Sequence, residues 1–248
     1  MIDPNTRRSI ADAHRRGAHE GGALPGGTGS DLVNNRLGSG SDYTVFLNFL
    51  GVPVVDMSFT GPYGVYHSMY DNHTWMTKFG DPKFLYHAAM TRLWGVMALR
   101  LANADVVPLD YRAYGDRLAE FVKDAIAAAK PADRARFTPL EAAVDRFARA
   151  ARTMDERTGA LLGARTLDES AAAAATRTLM RTERALLDRD GIPGRPWYRH
   201  LIYAPKPTYA PEVLPGIAEA IDAGDRARLA DQISRLVAAL DRATATLK

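Results

Sequence analysis

The chain has 248 residues and a mass of 27.1 kDa, enough for one large domain or two modest ones with a sizeable core. Its 32 Lys and Arg residues nearly balance 29 Asp and Glu residues, and a formal charge of +3 is too small to indicate nucleic-acid binding. The lack of cysteine excludes a disulfide scaffold and thiolate metal sites, and no apolar run in the sequence is long enough to span a membrane.

The N-terminal third begins with a segment that we expect to be flexible. Residues 1–30 run into the Gly-rich sequence GGALPGGTGS and contain no apolar h-region, so no signal peptide is expected in this chain. Apolar residues at helical spacing then predict a helix over 43–50, with Ser41 or Asp42 at its start and Gly51 at its end.

A strand and a longer helix are predicted next. Residues 53–59 alternate between apolar and polar side chains, which is typical of a strand, and a Gly/Pro loop rich in Tyr and His follows. The apolar face of the helix predicted over 84–104 is wider than a surface helix needs, so we expect this helix to pack against a sheet. If the rest of that sheet is missing, both segments should be exposed and the chain should aggregate or depend on a partner segment.

The remainder is predicted to be helical. Four long patterns with short joints predict an all-α, up-and-down four-helix bundle, and they cover 110–130, 138–163, 167–190 and 225–247. Because the carboxylates of 105–190 alternate with arginines, we interpret them as a solvated, salt-bridged helix face. The Pro-rich stretch 191–216 interrupts the helices, and its Trp, Tyr and His content indicates a functional insertion rather than a spacer.

Six histidines are the first candidates for chemistry. His67 follows the Gly/Pro loop, and Asp71 could partner its second ring nitrogen, so His67 is either a zinc ligand or an ordinary polar residue. A complete site made of His67, Asp71 and His73 is a weaker hypothesis, because the spacing differs from that of the common zinc helix. The others are expected to be surface residues (His14 and His19), a helix-packing residue (His87) and a hydrogen-bonded residue of the Pro-rich stretch (His200).

Five motifs stand out by their order and spacing: LGSGSDY at 37–43, VYHSMYD at 65–71, KFGDP at 78–82, GIPGRPWYRH at 191–200 and IYAP at 202–205. Together they resemble the C-terminal part of glutamate carboxypeptidase II and its bacterial relatives, the zinc peptidase branch that also includes the transferrin receptor. The resemblance covers about residues 30–248.

The resemblance implies a division of the chain and a set of roles. Residues 31–105 would be the end of the α/β peptidase domain, and residues 106–248 the helical domain through which these proteins dimerise. His67 would be a zinc ligand, and Tyr66 would hydrogen-bond the tetrahedral intermediate. The implied substrate contacts are Gly40, Ser41 and, at the terminal carboxylate, Tyr209.

The sequence also departs from the family pattern. Thr208 stands where the family has a lysine beside the tyrosine, and Asp56 and Ser58 stand where glutamate carboxypeptidase II has arginines that favour acidic side chains. We therefore expect a broader peptidase than one for acidic dipeptides. The other zinc ligands and the general-base glutamate of the family fall upstream of this sequence, and a lone histidine cannot hold two zinc ions.

The sequence is accordingly interpreted as the C-terminal segment of a dinuclear-zinc exopeptidase. It is expected to form a homodimer, to need the missing peptidase segment, and not to hydrolyse peptides alone. We do not expect this chain alone to retain zinc. Members of the resembled family are exported or membrane-anchored, but this sequence does not itself indicate a compartment. The alternative is a dimerisation or interaction module without catalysis.

Overall fold

The structure is a computed structural model that describes residues 2–4, 7–9, 37, 41–59, 63–206 and 210–248. These residues divide into two compact units. The first unit comprises Asp56–Ala104 with the described residues before 34, and the second comprises Asn35–Val55 with Asp105–Lys248. No helix in these ranges has the length and apolarity needed to cross a membrane.

The described chain is mostly helical. Its α-helices are α1 (Tyr43–Leu50), α2 (His73–Trp75), α3 (Leu85–Ala102), α4 (Tyr111–Ala128), α5 (Thr138–Leu162), α6 (Glu169–Ala185), α7 (Pro215–Ala223) and α8 (Arg226–Leu247). A π-helical turn, Met76–Gly80, continues α2, and a 3-10 helix, Pro131–Phe137, leads directly into α5. The strands β1 (Tyr203–Pro205) and β2 (Pro211–Val213) form an antiparallel pair.

The core of the second unit lies among its long helices. α5 packs against α4 and α8, and α8 also packs against α6 and α7. Apolar residues recur on α8 at the spacing of one helical face, and those that are buried include Leu229, Ile233, Leu236, Leu240 and Leu247. Aspartate side chains accept hydrogen bonds from the first-turn amides of three helices: Asp110 at α4, Asp168 at α6 and Asp225 at α8.

The helix α1 belongs to the second unit and ends as its sequence predicts. Gly51 has φ +60°, its amide donates to the Leu47 carbonyl at 3.1 Å, and the Val52 amide donates to the Phe46 carbonyl at 3.0 Å, which makes a left-handed helix cap. The prediction of a side-chain cap at its start is wrong for Asp42, whose side chain makes no capping hydrogen bond.

The first unit contains α3, whose start is fixed by one carboxylate. Asp81 accepts hydrogen bonds from the amides of Leu85, Tyr86 and His87 and from Nδ1 of the His87 ring, at 2.8–3.0 Å. Although desolvation opposes ionisation, these donors together lower the pKa of Asp81. His87 is therefore part of a helix start rather than a residue that packs against another helix.

Two predictions about the first 105 residues differ from the structure. Residues 53–59 lie in no strand, because the described chain offers no neighbouring strand for them to pair with. Among the residues of α3 only Ala89 is buried, since the described part of the first unit contains no sheet for the apolar face to cover.

The helix positions beyond residue 105 are confirmed in outline. Helices α4, α5, α6 and α8 fall within the four predicted ranges, although α6 ends at Ala185 rather than near 190. The Pro-rich stretch contains the β1–β2 pair and the start of α7, which were not predicted. Strands of three residues that begin or end at proline carry too little alternation to be recognised in a sequence.

Candidate functional site

The pair Tyr66 and His67 lies on an exposed turn of the first unit. The carbonyl of Val65 accepts from the Ser68 amide at 2.9 Å, and the carbonyl of Ser68 accepts from the Asp71 amide at 3.0 Å. His67 has φ +61°, in the left-handed region that non-glycine residues seldom occupy. The Tyr66 ring stacks on the imidazole, with 3.9 Å between ring centroids and 19° between planes. The turn therefore presents both side chains together to solvent.

The residues that follow do not complete a metal site. Asp71 and His73 are both exposed, and His73 begins α2, where its ring centroid lies 6.4 Å from that of Phe84. Within the described ranges no group of three or more His, Asp or Glu side chains is arranged to hold a metal ion. The hypothesis of a site made by His67, Asp71 and His73 is therefore wrong for this structure. His67 fits zinc as one ligand of a set that the described residues do not complete.

Ser41 is the described member of the predicted pair Gly40 and Ser41, since Gly40 lies outside the described residues. Its carbonyl accepts from the amide and the hydroxyl of Thr44, at 3.2 and 2.7 Å, at the start of α1. Ser41 itself is exposed.

Tyr209 also lies outside the described residues, but the hairpin on either side of it is described. In the register of β1 and β2, Tyr203 pairs with Val213 and Pro205 with Pro211. The Lys206 amide donates to the Ala210 carbonyl at 2.6 Å, and Lys206 Nζ lies 3.1 Å from the carboxylate of the buried Glu212. These contacts close the hairpin on both sides of 207–209.

A buried polar cluster anchors the base of this hairpin to the helices. Nδ1 of His200 accepts from the amides of Ile202 and Tyr203, each at 3.2 Å, so its Nε2 carries the proton and donates to Glu183 Oε1 at 2.8 Å. The His200 ring is fully buried, and Glu183 of α6 is 4% exposed. The expectation that His200 would be hydrogen-bonded is confirmed, and its partner lies on a helix outside the Pro-rich stretch.

Two tyrosines of α4 complete the cluster around the Glu183 carboxylate. The hydroxyls of Tyr111 and Tyr114 lie 3.4 and 3.3 Å from its two oxygens, and Tyr111 also donates to the Leu179 carbonyl. Burial, and then the negative charge of Glu183, raise the pKa of both tyrosines well above the usual value. The same two causes raise the pKa of Tyr203 at the start of β1.

Nothing in the sequence indicates that Glu183 is buried. It stands between Arg181 and Arg184, a charge pattern that predicts a solvated face, and only the position of His200 in space shows why this carboxylate is buried. Asp133 is a second carboxylate of this stretch that is buried rather than solvated. Although desolvation opposes its ionisation, hydrogen bonds from Arg226 and Arg136 lower the pKa of Asp133.

The helix α1 is joined to the same segment. The Asn48 carbonyl accepts from the amides of Arg199 and His200, at 2.9 and 3.2 Å. The Phe49 ring stacks on Trp197 at 4.7 Å, and the Arg199 guanidinium lies 4.4 Å from the Phe49 ring centroid. Helix α1 and residues 197–200 are therefore held together by both backbone and side-chain contacts.

Comparison with known proteins agrees with the motifs. The sequence profile of the transferrin receptor-like dimerisation domain matches residues 135–248. The probable glutamate carboxypeptidase LAMP1 of Arabidopsis thaliana is 41% identical over 199 residues, which cover 79% of this chain and 28% of that protein. The chain belongs to the transferrin receptor-like zinc peptidase family.

More distant members of this zinc peptidase family also match. Aminopeptidase NAALADL1 of Rattus norvegicus is 31% identical over 231 residues, covering 86% of this chain and 31% of the relative. An inactive zinc metalloprotease of Schizosaccharomyces pombe is 29% identical over 230 residues, covering 86% and 29%. The chain thus spans about three tenths of the length of these relatives.

Proposed function

We propose that this chain supplies the C-terminal segment of a dinuclear-zinc exopeptidase of the glutamate carboxypeptidase type. The observation that carries the proposal is the exposed, stacked pair Tyr66 and His67 on a left-handed turn, in a chain that also carries the family's dimerisation domain. The names of the relatives, which include glutamate carboxypeptidases and an aminopeptidase, support this class of reaction.

In this proposal His67 holds one of two zinc ions, and Asp71 orients its ring. Zinc, when bound, supplies a water of lowered pKa and polarises the peptide carbonyl. The Tyr66 hydroxyl donates a hydrogen bond to the oxygen that gains negative charge during attack. The remaining ligands and the general base come from a peptidase segment that lies outside this sequence, on the same polypeptide or on another.

We assign substrate contacts to Gly40, Ser41 and Tyr209, the last at the terminal carboxylate of a peptide. Because Thr208 replaces a family lysine, and Asp56 and Ser58 replace arginines, the substrate range is broader than acidic dipeptides. The domains proposed are residues 31–105 as the end of the peptidase domain and 106–248 as the dimerisation domain. Helices α4, α5, α6 and α8 form its up-and-down bundle, through which the chain makes a homodimer.

A second candidate is a dimerisation module without catalysis. It is favoured by the second unit, whose helices bury a continuous apolar core without the peptidase segment. The two candidates differ in one respect: the module needs neither Tyr66 nor His67.

The experiment compares hydrolysis of dipeptides by this chain alone and by this chain combined with the N-terminal peptidase segment of a relative. We expect no hydrolysis by the chain alone. The combined protein should hydrolyse peptides, and His67→Ala should lower kcat/KM by about a thousandfold or more, whereas Tyr66→Phe should lower kcat by about a hundredfold. His73→Ala, a neighbouring exposed histidine, serves as the matched control. Equal activity of wild type and H67A would favour the module.

A further inference from the structure

We propose that one surface of the second unit is the docking site of the missing peptidase segment, and that this segment places a carboxylate against Arg199. The proposal rests on the proposed function, because the peptidase segment is the partner that the candidate site needs. We call this area the α1–Arg199 surface, and it is made by Val45, Phe46, Phe49, Leu50, Trp197 and Arg199.

One face of α1 is apolar and turned to solvent. Residues three and four positions apart share a helix face, which places Val45 beside Phe49 and Phe46 beside Leu50. Val45, Phe46 and Leu50 are each close to half exposed, whereas Leu47 on the opposite face is buried. Apolar side chains that are exposed together on one face are typical of a contact surface, whereas single exposed apolar residues are ordinary.

Trp197 extends this face beyond the helix. Its ring stacks on that of Phe49, with 4.7 Å between centroids and 18° between planes, and yet Trp197 is 61% exposed. The Asn48 carbonyl holds the segment in place, since it accepts from the amides of Arg199 and His200. A surface that is already ordered loses little conformational freedom on binding, and tryptophan and arginine often supply most of the binding energy of an interface.

Arg199 is a half-buried cation without a carboxylate partner in the described part of the chain. Its guanidinium lies 4.4 Å from the centroid of the Phe49 ring, and its Nε is buried with no hydrogen-bond partner. The Arg199 carbonyl accepts from the Asp188 amide, but the Asp188 carboxylate lies 3.3 Å from Arg235 instead. A buried donor without an acceptor costs free energy, and a carboxylate from another segment would recover it through charge-assisted hydrogen bonds.

A second arginine borders the α1–Arg199 surface. A Cβ on Gly51 would lie 3.3 Å from Cγ of Arg184, so Arg184 lies at the end of α1. Arg184 is exposed and forms no ion pair within the described ranges. Two unpaired cations beside an apolar face complement a partner surface that is apolar and carries negative charge.

The position of α1 between the two proposed domains indicates the peptidase segment as the partner. Helix α1 lies within residues 31–105, the proposed end of the peptidase domain, but it is packed into the unit that contains Asp105–Lys248. It begins two positions after Ser41, a proposed substrate contact, so a segment that completes the substrate site borders this helix. About seven tenths of each relative lies outside the region that matches this chain, which is ample for such a segment.

The test compares hydroxyl-radical oxidation of single residues, read by mass spectrometry, in the chain alone and in the chain joined to the N-terminal peptidase segment of a relative. Oxidation of Trp197 should fall about tenfold on joining, because docking covers its ring. Met180 of α6, which is 45% exposed and lies outside the α1–Arg199 surface, is the control and should keep its rate. An unchanged rate at Trp197 would overturn the proposal.

Variants of Arg199 test for the carboxylate. In the joined protein, Arg199→Gln should raise the remaining oxidation of Trp197 about tenfold, as loss of a charge-assisted hydrogen bond implies, and Arg199→Lys should raise it less. Arg149→Gln, at an exposed arginine of α5 that also forms no ion pair among the described residues, should leave it unchanged. Equal oxidation of Trp197 in joined R199Q and R149Q would overturn the proposal.

The unjoined chain separates docking from folding. R199Q should keep the wild-type urea midpoint in the chain alone, because Arg199 has no carboxylate partner there to lose. A lower midpoint would show that Arg199 stabilises the chain itself and would overturn its assignment to a partner.

Peptidase activity of the joined protein distinguishes this proposal from the proposed function. A joined protein that hydrolyses dipeptides but leaves Trp197 as reactive as in the chain alone overturns the docking surface alone. One that protects Trp197 and responds to R199Q but hydrolyses no peptide supports the docking surface and overturns the proposed function. A joined protein that shows neither protection nor activity overturns both.

Discussion

Glu183 and His200 form a buried hydrogen bond, 2.8 Å between Oε1 and Nε2, that joins α6 to the base of the β1–β2 hairpin. The imidazole is held in one tautomer by two backbone amides, and two tyrosine hydroxyls surround the carboxylate. Because His200 and Glu183 are both buried, each depends on the other for a hydrogen-bond partner.

Removal of the Glu183 carboxylate should destabilise the helical unit. Glu183→Ala leaves the His200 Nε2–H and the Tyr114 hydroxyl without this acceptor in the interior, and we expect the free energy of unfolding to fall by about 2–4 kcal/mol. Urea denaturation followed by circular dichroism measures this change. Glu156→Ala on the exposed face of α5 is the control and should change stability by less than about 0.5 kcal/mol. Equal effects of the two variants would show that the cluster is not a stabilising element.

Stability should fall steeply in alkaline solution. The pKa values of Tyr111, Tyr114 and Tyr203 are raised by burial and by Glu183, so these tyrosines keep their protons when folded. On unfolding above pH 10 they release protons, and the free energy of unfolding decreases as pH rises beyond the unfolded pKa of about 10. Urea denaturation at pH 8 and pH 11 tests this. Tyr114→Phe should reduce the loss of unfolding free energy between pH 8 and pH 11 by about a third. An equal loss in Y114F and wild type would contradict the attribution of this pH dependence to the buried tyrosines.

The start of α3 should depend on the ionised Asp81. Its lowered pKa means that it contributes stability above the unfolded value, near 3.9, and that this contribution is lost as pH falls through the folded value. Asp81→Ala should cost about 1–2 kcal/mol, since the side chain caps three amides of the first turn. Amide exchange within α3 measures the loss. Asp56→Ala, at an exposed position of the same unit, should leave α3 protected as in wild type.

The exposed apolar face of α3 in the first unit should make the isolated chain prone to aggregation. Val96, Leu99 and Leu101 of α3 are 48%, 64% and 41% exposed, and such a patch favours association. Leu99→Lys with Val96→Lys should lower aggregation and binding of a hydrophobic dye, with the urea midpoint of the second unit unchanged. Light scattering gives the readout, and Thr91→Lys with Arg92→Lys, at exposed polar positions of α3, gives the control. Unimpaired aggregation of the double variant would contradict this account.

The sequence predicted features that depend on local chemistry. The left-handed cap at Gly51 and the starts of α4 and α8 follow from residues that lie within a few positions of each other. The stretch 53–59 has the alternation of a strand but no neighbour in the described chain, so pattern alone gave the wrong conformation. Glu183 shows the opposite case, in which the local pattern predicts exposure and the residue is buried. Its partner His200 lies 17 positions away in the sequence, so local chemistry could not predict the contact.

The candidate site was predictable only through its motif. Composition and spacing left His67 as one of six histidines, and the Tyr66–His67 pair acquired a meaning from the surrounding family motifs. The left-handed backbone of His67 and the stacking of the two rings could not be read from residue types, because they depend on the fold of the turn from Val65 to Asp71.

Zinc stoichiometry tests the central claim most directly. The chain combined with a peptidase segment is dialysed against zinc, and bound metal is measured for wild type, His67→Ala and the control His73→Ala. We predict two zinc ions per complex in wild type and in H73A. In H67A we predict one zinc ion fewer, because one of the two ions loses a ligand. Equal zinc content in wild type and H67A would contradict the account, because His67 would then supply no ligand.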